Sequence, residues 1–256
     1  MTHLMYNNSS DQIITRNEMK LLPLPEARGR FHQPYPFSAF VEQVHEALDI
    51  EGIVANDEEY VIQKDGNRLF GLMTIESKAL EGQLITADDW KLTLGLRGSH
   101  DQKIPRGLVL GTQVLVCSNL CFNGNLGTFN TKQTLNIGSR IPALIRDAVS
   151  RIPETAHKQE LQFDAYRNFE MKPRWGDAAL VEIHRRGGLT SPQLGRAIQE
   201  WDVPAHSEHA EQGYSAWRLL NACTEALKPT GTQGNMNTVQ DRSQRVTGFL
   251  NEVVGL

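Results

Sequence analysis

The chain has 256 residues, of which 39% are hydrophobic and 22% charged, and a formal net charge of −4. This is the composition of a soluble globular protein, long enough for one large domain or two small ones. It excludes a disulfide framework, since there are only three cysteines, and a membrane span, since no apolar run nears ~18 residues.

The first 20 residues, MTHLMYNNSSDQIITRNEMK, hold no basic stretch followed by an apolar core. The expectation is therefore a chain without a secretory leader, located in the cytoplasm. Residues 1–35 are predicted to form an extended arm, because MYNNSSDQ is polar and LLPLPEARGRFHQPYPF carries four prolines; it wraps over its own domain, the commoner outcome, or over a neighbouring subunit. Residues 36–256 are predicted to form a single domain, sheet-rich over 55–125 and helical over 131–256. Ser38 is placed to cap a helix whose apolar face is Phe40, Val41, Val44 and Leu48, with Gly52 as its stop.

From Tyr60 to Ile75 the residues alternate around Lys64-Asp65-Gly66-Asn67, a hairpin signal. Trp90–Leu96 reads as a strand with Trp90, Leu92, Leu94 and Leu96 on one face, and Leu108–Phe122 as a longer one. NGNLGTFN at 123–130 reads as a loop. Helices follow. The first contains Ile141, Leu144, Ile145 and Ala148, with Pro142 in its first turn and Pro153 beyond its end. The next span 155–169 and 175–186, the latter closed by Gly187-Gly188. Ser191-Pro192 then opens a fourth, and 214–227 and 239–254 complete the set. The fold class is α+β: an antiparallel twisted sheet of at least four strands, then a helical C-terminal half.

Ser99-His100-Asp101 invites comparison with a nucleophilic triad. On extended backbone, however, Ser99 and Asp101 share a face and His100 points away, so the three read as a structural turn more readily than as a ligand contact or a catalytic set. Cys117 and Cys121 lie about 13 Å apart along a strand, too far for one metal ion or a disulfide. Asn119 between them is a polar amide in an apolar strand. It needs partners, either in a loop or in a ligand. No cofactor motif and no metal-ligand spacing is present, and the residues argue against an enzyme more than for one.

Charge is uneven. Residues 1–100 carry 9 basic and 15 acidic groups, whereas 138–198 carry 10 and 7. Within the basic middle, Lys132, Arg140, Arg146, Arg151 and Arg167 are the candidate phosphate contacts. Tyr166, Phe169 and Trp175 are interleaved with Arg167, Lys172 and Arg174, a combination suited to stacking on single-stranded bases. The competing reading is a solvated rim around core aromatics.

GLRGSHD, then GTQVLVCSNLCF, then YSAWRLLNACTEAL together resemble the phage/plasmid-like domain-of-unknown-function family 932. The residues carrying the resemblance are Ser99, His100, Asp101, Cys117, Ser118, Asn119, Trp217 and Glu225, and it covers roughly residues 60 to 256. It implies residence on a mobile element and no established activity. Family members carry more Lys, Arg and His in the loop after the Glu-bearing helix, where this chain has only Arg242 and Arg245. The functional expectation is a non-catalytic accessory protein that binds nucleic acid, single-stranded DNA in recombination or replication being the leading case. The alternative is a protein-interaction module, such as an inhibitor of a host defence enzyme. No membrane is expected as a partner, and homo-oligomerisation is left open.

Overall fold

A computed structural model describes residues 12–77, 90–114, 120–122, 129–211, 213–228 and 236–256. Strands come first and helices after. Contacts sort the chain into two compact units. Unit 1 is Met1–Leu84, Leu92–Gly111 and Asn125–Thr155, and unit 2 is Ile85–Lys91, Thr112–Gly124 and Ala156–Leu256.

The strands form an antiparallel sheet. β1 (Gln12–Ile14), β2 (Ile53–Gln63), β3 (Arg68–Ser77), β4 (Trp90–Ser99), β5 (Arg106–Val114) and β6 (Leu120–Phe122) follow one another in space, and β7 (Phe129–Thr131) pairs with β5. The expected arm is thus partly regular. Ile14 is buried, β1 adds to the edge of β2, and α1 (Arg16–Met19) is fixed by a capping box between Thr15 and Glu18. The irregular stretch, residues 20–36, follows these elements.

The hairpin expected at Lys64–Asn67 is present. Gln63 pairs with Arg68, and Lys64, Asp65 and Gly66 all have positive φ. β2 carries an extra residue between Asn56 and Glu59, a bulge near which Glu58 accepts from Arg16, His45 and Tyr60. α2 (Phe37–Ile50) starts one residue before Ser38. Its N-cap is Pro36 and makes no side-chain hydrogen bond, so Ser38 lies in the first turn and caps nothing. Proline's restricted φ already brings the chain into the helix there, and Phe40 N–H donates to the Pro36 carbonyl. Phe40, Val41, Val44 and Leu48 are buried, as the spacing requires, and α2 packs on β2 and on α3 (Ile137–Ser150). Because α3 begins at Ile137, Pro142 is inside the helix instead of in its first turn. Phe129–Thr131, part of the expected loop, is a strand because Arg106–Leu108 offers it a ladder.

Unit 2 is mainly helical: most of α4 (Ile152–Asn168), α5 (Pro173–Arg185), α6 (Ser191–Asp202), α7 (Ser207–Glu211), α8 (Ala216–Leu227) and α9 (Met236–Val254). Pro153 opens α4 as its second residue, where a missing N–H costs nothing. Thr190, one residue earlier than the expected Ser191, caps α6 in a box with Gln193. The short α7 has no counterpart in the expected elements. Trp201 and Trp217 are fully buried. The Arg218 guanidinium, also buried, donates to the Trp201 and Asp202 carbonyls at the end of α6 and lies 4.4 Å from the Tyr214 ring. A cation on the last carbonyls of a helix complements its dipole. Among the described residues no helix is long and apolar enough to cross a membrane.

α5 and α6 approach so closely that a Cβ on Gly176 would lie 2.1 Å from the Trp201 ring, whereas one on Gly195 would meet nothing within 4 Å. Gly176→Ala is expected to destabilise the protein by about 1–3 kcal/mol through overpacking. Gly195→Ala is expected to stabilise it by roughly 0.5–1 kcal/mol through helix propensity. Urea unfolding of the two variants beside the parent checks both signs.

Candidate functional site: a basic cavity under the arm

In unit 1 the end of the arm lies along the sheet. Gly29 takes a left-handed φ of +87°, which turns Arg-Gly-Arg back on itself, and His32 N–H donates to the Gly29 carbonyl at 3.4 Å. His32 also forms an antiparallel bridge with Thr134. Tyr35 N–H donates to Gln133 Oε1, and Gln33 N–H to the Gln133 carbonyl.

Arg106, at 0% exposure, holds the arm down. Its guanidinium donates to the carbonyls of Tyr35 at 2.8 Å and Pro36 at 3.4 Å, with the rings of Tyr35, Phe37 and Phe40 at 5.5, 4.9 and 5.1 Å. Burial lowers its pKa to about 9, which leaves it charged at neutral pH.

Beside this arm lies a cavity of about 640 Å³ lined by Arg28, Arg30, Phe31, His32, Lys103 and Lys132, with Ser99 and Gln133 in its wall. Four of these side chains are exposed cations, and none of the described lining residues is acidic. Asp101, two residues before Lys103, is held elsewhere. Its Oδ2 accepts from Arg68 Nε and Nη2 at 2.8 Å each, and its Oδ1 from Lys103 N–H. Burial raises its pKa, but hydrogen bonds from Ser99, the Lys103 amide and Arg68 outweigh that and lower it.

Ser99-His100-Asp101 is therefore a turn at the end of β4. The Ser99 hydroxyl accepts from Ile104 N–H and donates to the Ile104 carbonyl. His100 N–H continues the ladder to the Asn67 carbonyl, and its buried ring lies against Phe37 at 4.2 Å with Nδ1 3.4 Å from Gln133 Oε1. His100 points away from Ser99 and Asp101, which share a face, as strand geometry requires. Cys117, Ser118 and Asn119, and the side chain of Cys121, lie outside the described residues. No group of His, Cys, Asp and Glu that could hold a metal is found among the described residues.

Of the expected phosphate contacts, only Lys132 lines the cavity. Arg140 and Arg146 are exposed on α3 without a carboxylate partner among the described residues. Arg151 is committed to Asp147, four residues earlier. In unit 2, Arg167 pairs with Asp164 and lies 4.8 Å from the buried Trp217 ring, which packs edge-on against Phe163. Tyr166 is fully buried, so it belongs to the core and offers no stacking face. Trp175, 56% exposed with Lys172 Nζ 5.2 Å from its ring, does offer one. Glu225 pairs with Lys228.

The residues that sequence reasoning missed are Arg28, Arg30 and Lys103. The signal was present in the arm as Arg-Gly-Arg-Phe-His, cations around an aromatic with no acid between them. No protein-family model matches the chain, and no match is found among the curated proteins or the solved structures.

His100 is neutral in this setting. Burial first, then the charge of Arg106, bring its pKa to about 4 from an ordinary 6.5, with Gln133 opposing. Between those values the unfolded chain binds the proton that the folded one refuses, so stability falls as pH drops. The expected loss is about 2–3 kcal/mol between pH 6.5 and 4.5. His100→Gln should flatten that slope in urea titrations run at a series of pH values.

Proposed function

We propose that the chain is a non-catalytic protein that binds single-stranded nucleic acid at the cavity under its arm. The observation that carries this reading is the set Arg28, Arg30, Lys103 and Lys132 around Phe31, which is 67% exposed beside them with the Arg30 guanidinium 5.3 Å from its ring. Cations meet phosphates, an exposed ring stacks on a base, and neither contact selects a sequence. Arg140 and Arg146, exposed on the helix that follows Lys132, are secondary contacts in the same unit. The family-932 resemblance adds the setting: an accessory role in the recombination or replication of a phage or plasmid, in the cytoplasm. A protein partner is the second reading. Leu21 at 83% and Leu24 at 50% exposure, on the proline-rich part of the arm, favour it.

The test is fluorescence anisotropy of a labelled oligo-dT titrated with protein from 50 to 300 mM salt. Three or four phosphate contacts predict a log–log slope of about −2 to −3 for a single strand. Arg30→Glu and Lys132→Glu, both exposed, should weaken binding and each make the slope shallower by roughly 0.7 or more. Phe31→Ala should weaken binding with the slope kept. Absence of salt-sensitive binding at 50 mM removes the proposal.

A further inference from the structure

His32 adds a directional group to the cavity. Its ring is 5% exposed. Nδ1 accepts a hydrogen bond from the Arg28 backbone N–H at 2.8 Å. A backbone amide can only donate, so Nδ1 is unprotonated and the neutral ring carries its proton on Nε2. Nε2 is buried and has no acceptor within the protein. A buried donor left unmet is costly, and native structures rarely tolerate one without a reason. Here the ring lines a cavity whose charged groups, Arg28, Arg30, Lys103 and Lys132, are all cations, set among the neutral polar side chains of Ser99, Gln102, Gln133 and Thr134. The missing partner is therefore an acceptor, and the surrounding charge selects an anionic one.

The form of the site narrows the anion further. A concavity of about 640 Å³ is in the size range of sites for small molecules and cofactors. Four cations without a carboxylate favour a dianion over the single charge of an internal phosphodiester. We propose that this cavity is a receptor for a phosphate monoester, the terminal phosphate of a nucleic-acid strand, with His32 Nε2–H donating to one phosphate oxygen and Phe31 stacking on the terminal base. This rests on the single-strand reading above and adds which part of the strand is held.

The experiment compares labelled dT12 bearing a 5′-phosphate, a 3′-phosphate or neither, with thymidine monophosphate and inorganic phosphate as competitors. The expected result is binding at least tenfold tighter for one phosphorylated end, abolished by millimolar thymidine monophosphate. His32→Phe keeps the ring's bulk and removes the donor, so it should erase the preference. His32→Gln, whose amide can donate from a similar position, should keep part of it. Lys132→Glu is the variant at an exposed position whose folding is not in question, and it too should erase the preference. Circular dichroism melts confirm that the His32 variants fold. Equal, salt-sensitive binding of all three oligonucleotides overturns the end-recognition proposal and leaves the single-strand reading standing. Binding of the mononucleotide or inorganic phosphate without any oligonucleotide binding overturns the strand reading and reassigns the cavity to a small phosphate compound. A preference untouched by His32→Phe and Lys132→Glu places the end site elsewhere and overturns the assignment.

Discussion

The architecture of unit 1 turns on one buried cation. Arg106 has no carboxylate among its hydrogen-bond partners; what compensates its charge is two backbone carbonyls and three aromatic faces. Moving a bare guanidinium out of water is costly, and dipoles and ring quadrupoles recover the cost only if they are held in place. The chain meets that condition by taking the carbonyls from Tyr35 and Pro36, the junction between the arm and α2. One interaction thereby fixes the first turn of α2 and the path of the arm, and with it the position of Arg28, Arg30 and His32 over the sheet.

The electrostatics of the cavity follow from that arrangement. Positive groups come from three separate segments, and Asp101, two residues before Lys103, is spent on Arg68. Both imidazoles nearby respond alike. His32 is pushed below its ordinary pKa by burial and then by Arg28, and His100 by burial and then by Arg106. The smaller, Coulomb part of those shifts, from Arg28 and Arg106, has the sign that attracts anions. Gln133 is the neutral brace of this site: it donates to the Ser99 carbonyl at 2.7 Å and accepts from Tyr35, so the end of β4, the arm and the segment after β7 keep one geometry.

Unit 2 uses the same chemistry for a structural end. Arg218, buried, donates to the terminal carbonyls of α6 and rests on Tyr214 and Trp201. Trp201 in turn donates through Nε1 to the Pro173 carbonyl and fills the space above Gly176. The Trp- and Glu-bearing helix that carries part of the family resemblance is therefore explained by packing: Trp217 belongs to the core and Glu225 to a local ion pair.

Much of this was legible in the chain itself. Period-two alternation around Asp65-Gly66 marked the hairpin, apolar spacing from Phe40 to Leu48 marked α2, and Gly187 marked the end of α5, because these depend on neighbours within a few residues. Helix starts slipped by a residue or more at Ser38 and Ser191, where a proline or threonine just upstream entered or capped the helix first. The candidate site was only partly visible. Lys132 stood out from its basic surroundings, but nothing local joins it to Arg28, Arg30 and Lys103, which lie about a hundred or about thirty residues away along the chain. Sequence alone determined the α+β order, the core faces and the turning of His100 away from Ser99 and Asp101, since backbone periodicity decides these. Only the tertiary structure decided which charges share a cavity and which are paired off, because that depends on where the arm is pinned, and a buried guanidinium on β5 does the pinning.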